Sequence, residues 1–136
     1  MYDRLRTLIA VMAQAALLSM TIAQGSSSNI EEPRQIVART AAEWQSLWKE
    51  HDPQSPAPAV EFADSMVVGV FLGSRPTAGF SVDITAAKVE AGGLVVEYVE
   101  KRPSVDTVVA QVLTSPYHLV RVTRTGGPVE FRRVNG

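Results

Sequence analysis

The stretch of sequence that decides the fold is MVVGVFL, residues 66–72, an apolar run without a charged side chain. Such a run is typical of a β-strand that is buried on both faces, because a half-exposed strand alternates polar and apolar residues. That alternation comes next, where Phe80, Val82 and Ile84 are separated by polar residues. The sequence therefore predicts a β-rich fold around a strand that is covered on both sides.

Further segments of apolar or alternating residues predict the other strands: 35–39, 94–99, 108–114, 117–124 and 129–134. The turn at 91–93 contains two glycines, which adopt positive φ at no steric cost. The hairpin around it is therefore the best-supported element of the predicted fold. The short turn at 125–128 predicts that the last two strands also pair antiparallel. We expect a mostly β (α+β) fold with an antiparallel sheet of six or seven strands, closed as a sandwich or a small barrel.

One amphipathic helix is predicted before these strands. Thr40 and Glu43 have the spacing of a capping box, in which each side chain bonds to the backbone of the other's turn. The apolar residues behind them recur every three or four positions: Ala41, Trp44, Leu47 and Trp48. Pro53 ends the helix, because the residue before a proline avoids the α region. A proline-rich connector follows at residues 53–58.

The N-terminus has the pattern of a signal peptide. Residues 1–23 contain two arginines, an apolar run and a small residue, Ala23, before polar sequence. We expect cleavage after Ala23, with a retained anchor as the alternative, then a flexible tether at residues 24–33 and a single β-rich domain at 34–136. The mature protein is expected to be periplasmic or extracellular and soluble, without a stable membrane anchor.

Composition excludes several kinds of chemistry. The 136 residues carry a net charge of −1, no cysteine and two histidines, His51 and His118. Disulfides, thiolate metal sites and cysteine nucleophiles are therefore excluded, and no histidine pair or G-x-S-x-G motif is present. We expect a protein that is not an enzyme, needs no cofactor or metal and does not bind nucleic acid.

Four arginines lie on the predicted last hairpin: Arg121, Arg124, Arg132 and Arg133. Pairing of its strands would bring them into one patch that attracts an acidic partner. We favour the interpretation that these charges keep edge strands from pairing with other chains.

The loop GSRPTAGF, residues 73–80, is the least ordinary stretch of the chain. It joins two predicted strands, so its tip is held on a rigid base, as suits a recognition loop. The other interpretation is a structural hairpin whose Phe80 merely begins a core strand. The residue chemistry alone favours neither.

Two motifs carry a family resemblance. VFLGSRPTAGFSV at 70–82 and LTSPYHLV at 113–120 together resemble the C-terminal domain of PrcB, a protease-complex subunit, over residues 66–131. The resemblance implies an exported, non-catalytic domain that associates with a protease. Ala78 and Phe80 stand where the family leads us to expect glycine and tyrosine, and the cysteine of its lipoprotein members is missing.

The leading hypothesis is an exported protein-binding module, an accessory subunit of a secreted or surface protease. Its candidate partner-binding residues come from the two motifs: Arg75, Pro76, Thr77, Gly79, Phe80, Tyr117 and His118. The alternative is a small exported protease inhibitor that acts through loop 74–80, since residues 76–80 look like a loop of chagasin-type inhibitors. An enzyme would need Ser115, His118 and a carboxylate to converge.

Overall fold

The computed structural model describes Leu17 and residues 19–135. Its elements are, in chain order, β1 (Ser19–Gly25), β2 (Arg34–Ala38), α1 (Ala41–His51), β3 (Ser65–Phe71), β4 (Ser81–Glu90), β5 (Gly93–Lys101), β6 (Tyr117–Thr123) and β7 (Val129–Arg133). Over this range the strands form a four-stranded sheet, β1-β6-β3-β2, and a three-stranded sheet, β4-β5-β7. The two sheets pack as a sandwich and do not close into a barrel, and the predicted mostly β fold of six or seven strands with one helix is confirmed, with seven strands.

The run at 66–72 forms β3, which pairs antiparallel with β2 on one side and β6 on the other. Its alternate side chains enter different cores, because successive residues of a strand point to opposite faces. Met66 and Val68 lie between the two sheets, whereas Val67 and Phe71 pack under the helix. The prediction of a strand buried on both faces is therefore confirmed.

Helix α1 covers the outer face of the larger sheet. Its first turn is capped as predicted, with the Glu43 amide donating to Thr40 Oγ1 at 3.1 Å. The buried indoles of Trp44 and Trp48 donate to the carbonyls of Pro58 (2.9 Å) and Ser55 (3.0 Å). The proline-rich connector is thus bonded to the helix that precedes it.

The hairpin of β4 and β5 forms around the predicted glycine turn. Glu90 pairs with Gly93, and Ala91 and Gly92 have φ values of 47° and 79° between them. Consecutive positive φ values suit the right-handed twist of the strands that such a turn connects.

The predicted last hairpin is wrong, because β7 does not pair with β6. It crosses to the smaller sheet and runs parallel to β5. The Arg39 guanidinium fixes the crossing by donating to the carbonyls of Thr125 (2.9 Å) and Gly127 (2.6 Å). The four arginines assigned to that hairpin are accordingly divided between the two sheets.

The strand predicted at 108–114 is also wrong. Residues 102–113 form an irregular loop between β5 and β6, and only Thr114 and Ser115 make isolated β-bridges. Most of the apolar side chains behind the strand prediction face solvent in this loop. The apolar composition of residues 108–113 therefore does not mean that these residues are buried.

The N-terminal segment is packed where a tether is predicted. β1 pairs with β6 from Ser19 to Gly25, and Ser28 and Ile30 beyond it are buried. The remaining part of the predicted signal segment, residues 1–16 and 18, lies outside the described residues. Among the described helical residues, nothing has the length and apolar content that a membrane span requires.

Candidate partner-binding surface

The two sequence motifs meet in space and form one structural unit. The backbones of Arg75 and Thr114 exchange two hydrogen bonds, of 2.7 and 3.0 Å. The Thr114 hydroxyl also donates to the Thr77 carbonyl at 2.9 Å, and the Leu72 amide donates to the Pro116 carbonyl at 2.9 Å. Loop 73–80 is therefore fastened to the segment that leads into β6.

Arg75 anchors this loop from within. Its guanidinium donates to the Leu72 carbonyl at 2.9 Å and to a Glu100 carboxylate oxygen at 3.0 Å. It also lies over the Phe80 ring, 5.8 Å from the centroid. The Arg75 guanidinium is thus bonded within the domain, and its side chain is only 23% exposed. Arg75 therefore holds the loop in position.

Glu100 is the centre of a small charged cluster. Its side chain is 7% exposed and faces three arginines, Arg75 at 3.0 Å, Arg133 at 3.6 Å and Arg102 at 4.0 Å. Arg102 and Arg133 are more than half exposed. One buried carboxylate among three guanidinium groups leaves positive charge on the surface beside the loop.

Two glycines allow loop 73–80 to pack tightly. Gly73 has φ +81°, and a Cβ there would lie 2.8 Å from Pro33. Gly79 has φ +95°, and a Cβ would lie 2.8 Å from Pro103. Other residues rarely adopt such φ values, so both positions favour glycine on conformational and steric grounds. Between them Pro76 is exposed at the tip.

The irregular loop 102–113 lies directly against loop 73–80, with the Ala78 amide donating to the Ala110 carbonyl at 3.0 Å. Several of its aliphatic side chains face solvent, with exposed fractions between 53% and 99%: Val105, Val108, Val112 and Leu113. Sequence reasoning missed this feature because apolar residues in alternation are normally evidence of a buried strand. The two loops together form the candidate surface.

Tyr117 and His118, the remaining candidate residues, point away from the loops. The Tyr117 ring packs against His51 and Phe71 on the helix side, at centroid distances of 4.3 and 6.2 Å, and burial raises the pKa of its hydroxyl. His118 is buried between the sheets. The structure therefore brings the five loop candidates together and separates these two from them.

His118 links the two sheets through Nδ1 and binds the neighbouring strand β1 of its own sheet through Nε2. The Ile84 amide donates to Nδ1 at 2.8 Å, so the proton of the neutral ring lies on Nε2, which donates to Thr21 Oγ1 at 2.8 Å. Burial lowers the pKa of His118, and nearby Asp83 opposes that shift. Both ring nitrogens are thus bonded to groups other than Ser115.

His51 makes a corresponding link that the sequence did not signal. Its Nδ1 lies 2.8 Å from Ser28 Oγ, which also accepts the Ile30 amide at 3.0 Å. Burial lowers the pKa of His51, with Asp52 opposing the shift. Both histidines thus fasten the segment before β2 to the domain. Within the described residues no cluster of three or more His, Asp or Glu side chains is arranged to hold a metal ion.

These features define a class of protein: a β-sandwich domain with one packed helix that presents a rigid pair of bonded loops. Residues 66–123, from β3 to the end of β6, match the family model described as PrcB C-terminal. The resemblance noted in the sequence is confirmed. No curated protein and no solved structure matches the chain.

Proposed function

We propose that this protein is an exported, non-catalytic protein-binding module that acts as an accessory subunit of a secreted or surface protease. The observation that carries the proposal is the family match over residues 66–123, which suggests a domain associated with a protease complex. The signal-peptide pattern at the N-terminus supports export.

The geometry of the loops supports a binding role. Loop 73–80 is held by the Arg75–Glu100 ion pair, by backbone bonds to Thr114 and by packing on Pro33 and Pro103. A loop fixed in this way loses little conformational entropy when a partner binds. The two histidines support a non-catalytic role, because their ring nitrogens bond to groups that hold the fold together: Thr21, Ser28 and the Ile84 amide.

Co-purification from the exported fraction tests the proposal. A C-terminally tagged full chain is expressed in its native host, captured from the periplasm and the medium, and assayed for casein hydrolysis in the eluate. We expect protease activity to co-purify with the tagged chain. An eluate with no more activity than a mock capture contradicts the proposal.

A matched pair of double variants assigns the role of the loop. Arg75→Ala with Thr77→Ala removes the guanidinium that holds loop 73–80 to Leu72 and Glu100 and the hydroxyl that bonds to the Ala78 carbonyl, and we expect recovered activity to fall severalfold. Arg121→Ala with Thr123→Ala changes the same residue types on β6, away from the loops, and should leave recovery unchanged. Equal recovery from both variants contradicts a role for the loop.

Direct protease inhibition is the second candidate, favoured by the exposed Pro76 at the tip of a loop fixed at both ends. Purified protein is added at a stoichiometric amount to papain-like and to subtilisin-like proteases. Loss of activity supports inhibition through loop 74–80, and unaltered activity supports the accessory role.

A further inference from the structure

Loop 102–113 exposes several aliphatic side chains to solvent. Val105 and Val108 are 99% and 97% exposed, and Leu113 is 80% exposed. Burying such side chains against a partner is favourable, because it removes apolar surface from water. Grouped exposed apolar side chains of this kind mark interaction sites.

The backbone of the same loop leaves a run of amides unpaired among the described residues. The amides of residues 108–113 donate to no acceptor among the described residues, and the loop is tied to its neighbour through the Ala110 carbonyl and through Thr114. The sequence there, VVAQVL, has no charge and no proline and is rich in β-branched residues. Unpaired amides on a segment with high β-propensity are a template for pairing with another chain.

Positive charge borders this edge. Arg102 is the first residue of the loop. Arg133 lies close to Arg102, because both guanidinium groups face the carboxylate of Glu100, and their side chains are 68% and 54% exposed. The three arginines of the cluster outnumber the two acidic residues here, which are Asp106 in the turn of the loop and the buried Glu100. The net charge of the group is therefore positive. An acidic side chain on the partner therefore finds an exposed guanidinium at either residue.

We propose that loop 102–113 binds an extended segment of a partner polypeptide by β-strand addition. Apolar side chains of that segment pack on Val108 and Val112, which share a face of an extended segment, and an acidic side chain pairs with Arg102 or Arg133. This inference rests on the proposed protein-binding function and names the chemistry of the partner, which is an extended segment with alternating apolar and acidic residues.

Labelled peptides of defined sequence test the chemistry directly. Fluorescein-tagged peptides of eight residues, alternating Val and Glu or alternating Val and Lys, are titrated with the full chain and followed by anisotropy. A third peptide carries Pro in the middle of the Val–Glu sequence, which removes a backbone donor. We expect the Val–Glu peptide to bind at least tenfold more tightly than the other two. Equal binding of the three peptides, or binding of none, overturns the proposal.

Substitutions locate the site. Val108→Ser with Val112→Ser should weaken binding of the Val–Glu peptide at least tenfold, and folding is preserved because both side chains are exposed. Met20→Ser replaces a side chain that is 59% exposed on β1 and serves as the matched control. Equal affinities for the two variants overturn the proposal, as does a concentration-dependent dimer that the Val108 and Val112 substitutions abolish, because the occupant is then a second copy.

The co-purification experiment separates this inference from the proposed function. If the wild-type chain recovers protease activity and the Val108→Ser, Val112→Ser variant recovers as much, the assigned surface is wrong and the accessory role stands. If the Val–Glu peptide binds as expected but the wild-type chain recovers no protease activity, the accessory role is wrong and the surface stands.

Discussion

Replacing Thr21 by valine tests whether β1 belongs to the folded domain. Thr21 Oγ1 accepts the Nε2 proton of His118, whose other ring nitrogen is bonded to the Ile84 amide of the smaller sheet. Valine has nearly the same shape as threonine but no acceptor. The change therefore leaves an imidazole that is 4% exposed with an unpaired donor.

The size of the effect follows from that geometry. A buried donor without an acceptor costs about 1–3 kcal/mol. Thr21 itself is exposed at the sheet edge, where water can replace part of the lost bond, and valine has a slightly higher β-propensity than threonine. We expect the free energy of unfolding of Thr21→Val to be about 1–2 kcal/mol lower than that of the wild type.

Urea unfolding measures this difference. Trp44 and Trp48, the two tryptophans of the chain, are both buried under the sheet and report global unfolding by fluorescence. The midpoint should fall while the m-value stays constant, because the folded state is otherwise unchanged. Thr123→Val is the control, since Thr123 is exposed on β6.

Two results refute the reasoning. If Thr21→Val unfolds within about 0.3 kcal/mol of the wild type, an amount below the cost of an unpaired buried donor, the bond to His118 does not form in solution. If Thr123→Val loses as much stability as Thr21→Val, the effect belongs to strand propensity and not to the histidine.

Three further predictions concern pH, helix α1 and loop 73–80. Burial lowers the pKa of His51 and His118 below the value of 6.5 for a free histidine, so the unfolded chain takes up more protons than the folded one in acid. Stability is then complete above about pH 6.5 and falls with decreasing pH by up to about 1.4 kcal/mol per unit for each histidine, which denaturation series between pH 7.5 and 5.5 should detect; a flat profile contradicts it. Thr40→Ala removes the acceptor for the Glu43 amide and should lower the free energy of unfolding by about 1 kcal/mol, and an unchanged urea midpoint refutes this. Gly79→Ala, at φ +95° and 2.8 Å from Pro103, should lower the thermal midpoint, whereas Gly126→Ala, with open space around it, should not; equal midpoints contradict the strain argument.

Local signals in the sequence predicted the elements that depend on neighbouring residues. The charge-free run at 66–72 identified the central strand, Thr40 and Glu43 identified the start of the helix, and the glycines at 92 and 93 identified a hairpin. Each of these signals acts within a few residues, so one sequence is enough to recognise it.

The wrong predictions concern elements whose place is set by distant contacts. The turn before β7 looks like a hairpin turn, but Arg39, 86 residues before Thr125, holds its carbonyls and directs the chain to the other sheet. The apolar residues at 108–113 have the content of a strand, but no strand among the described residues pairs with them. Periodicity reports which side chains suit burial, and it does not report whether a partner strand is present.

The position of β1 constrains the predicted cleavage after Ala23. Cleavage there removes five of the seven residues of β1, including Thr21, and leaves His118 Nε2 without its acceptor. It also removes Ile22, which packs on the helix-side core, and leaves Gln24, which bonds to the Val82 carbonyl at 2.9 Å, at the new terminus. A mature chain that keeps the fold described here must therefore retain residues 19–25, whereas a chain cut after Ala23 presents β6 as an open edge. The Thr21→Val experiment on exported protein separates the two, because the substitution has no effect in a chain that has lost residue 21.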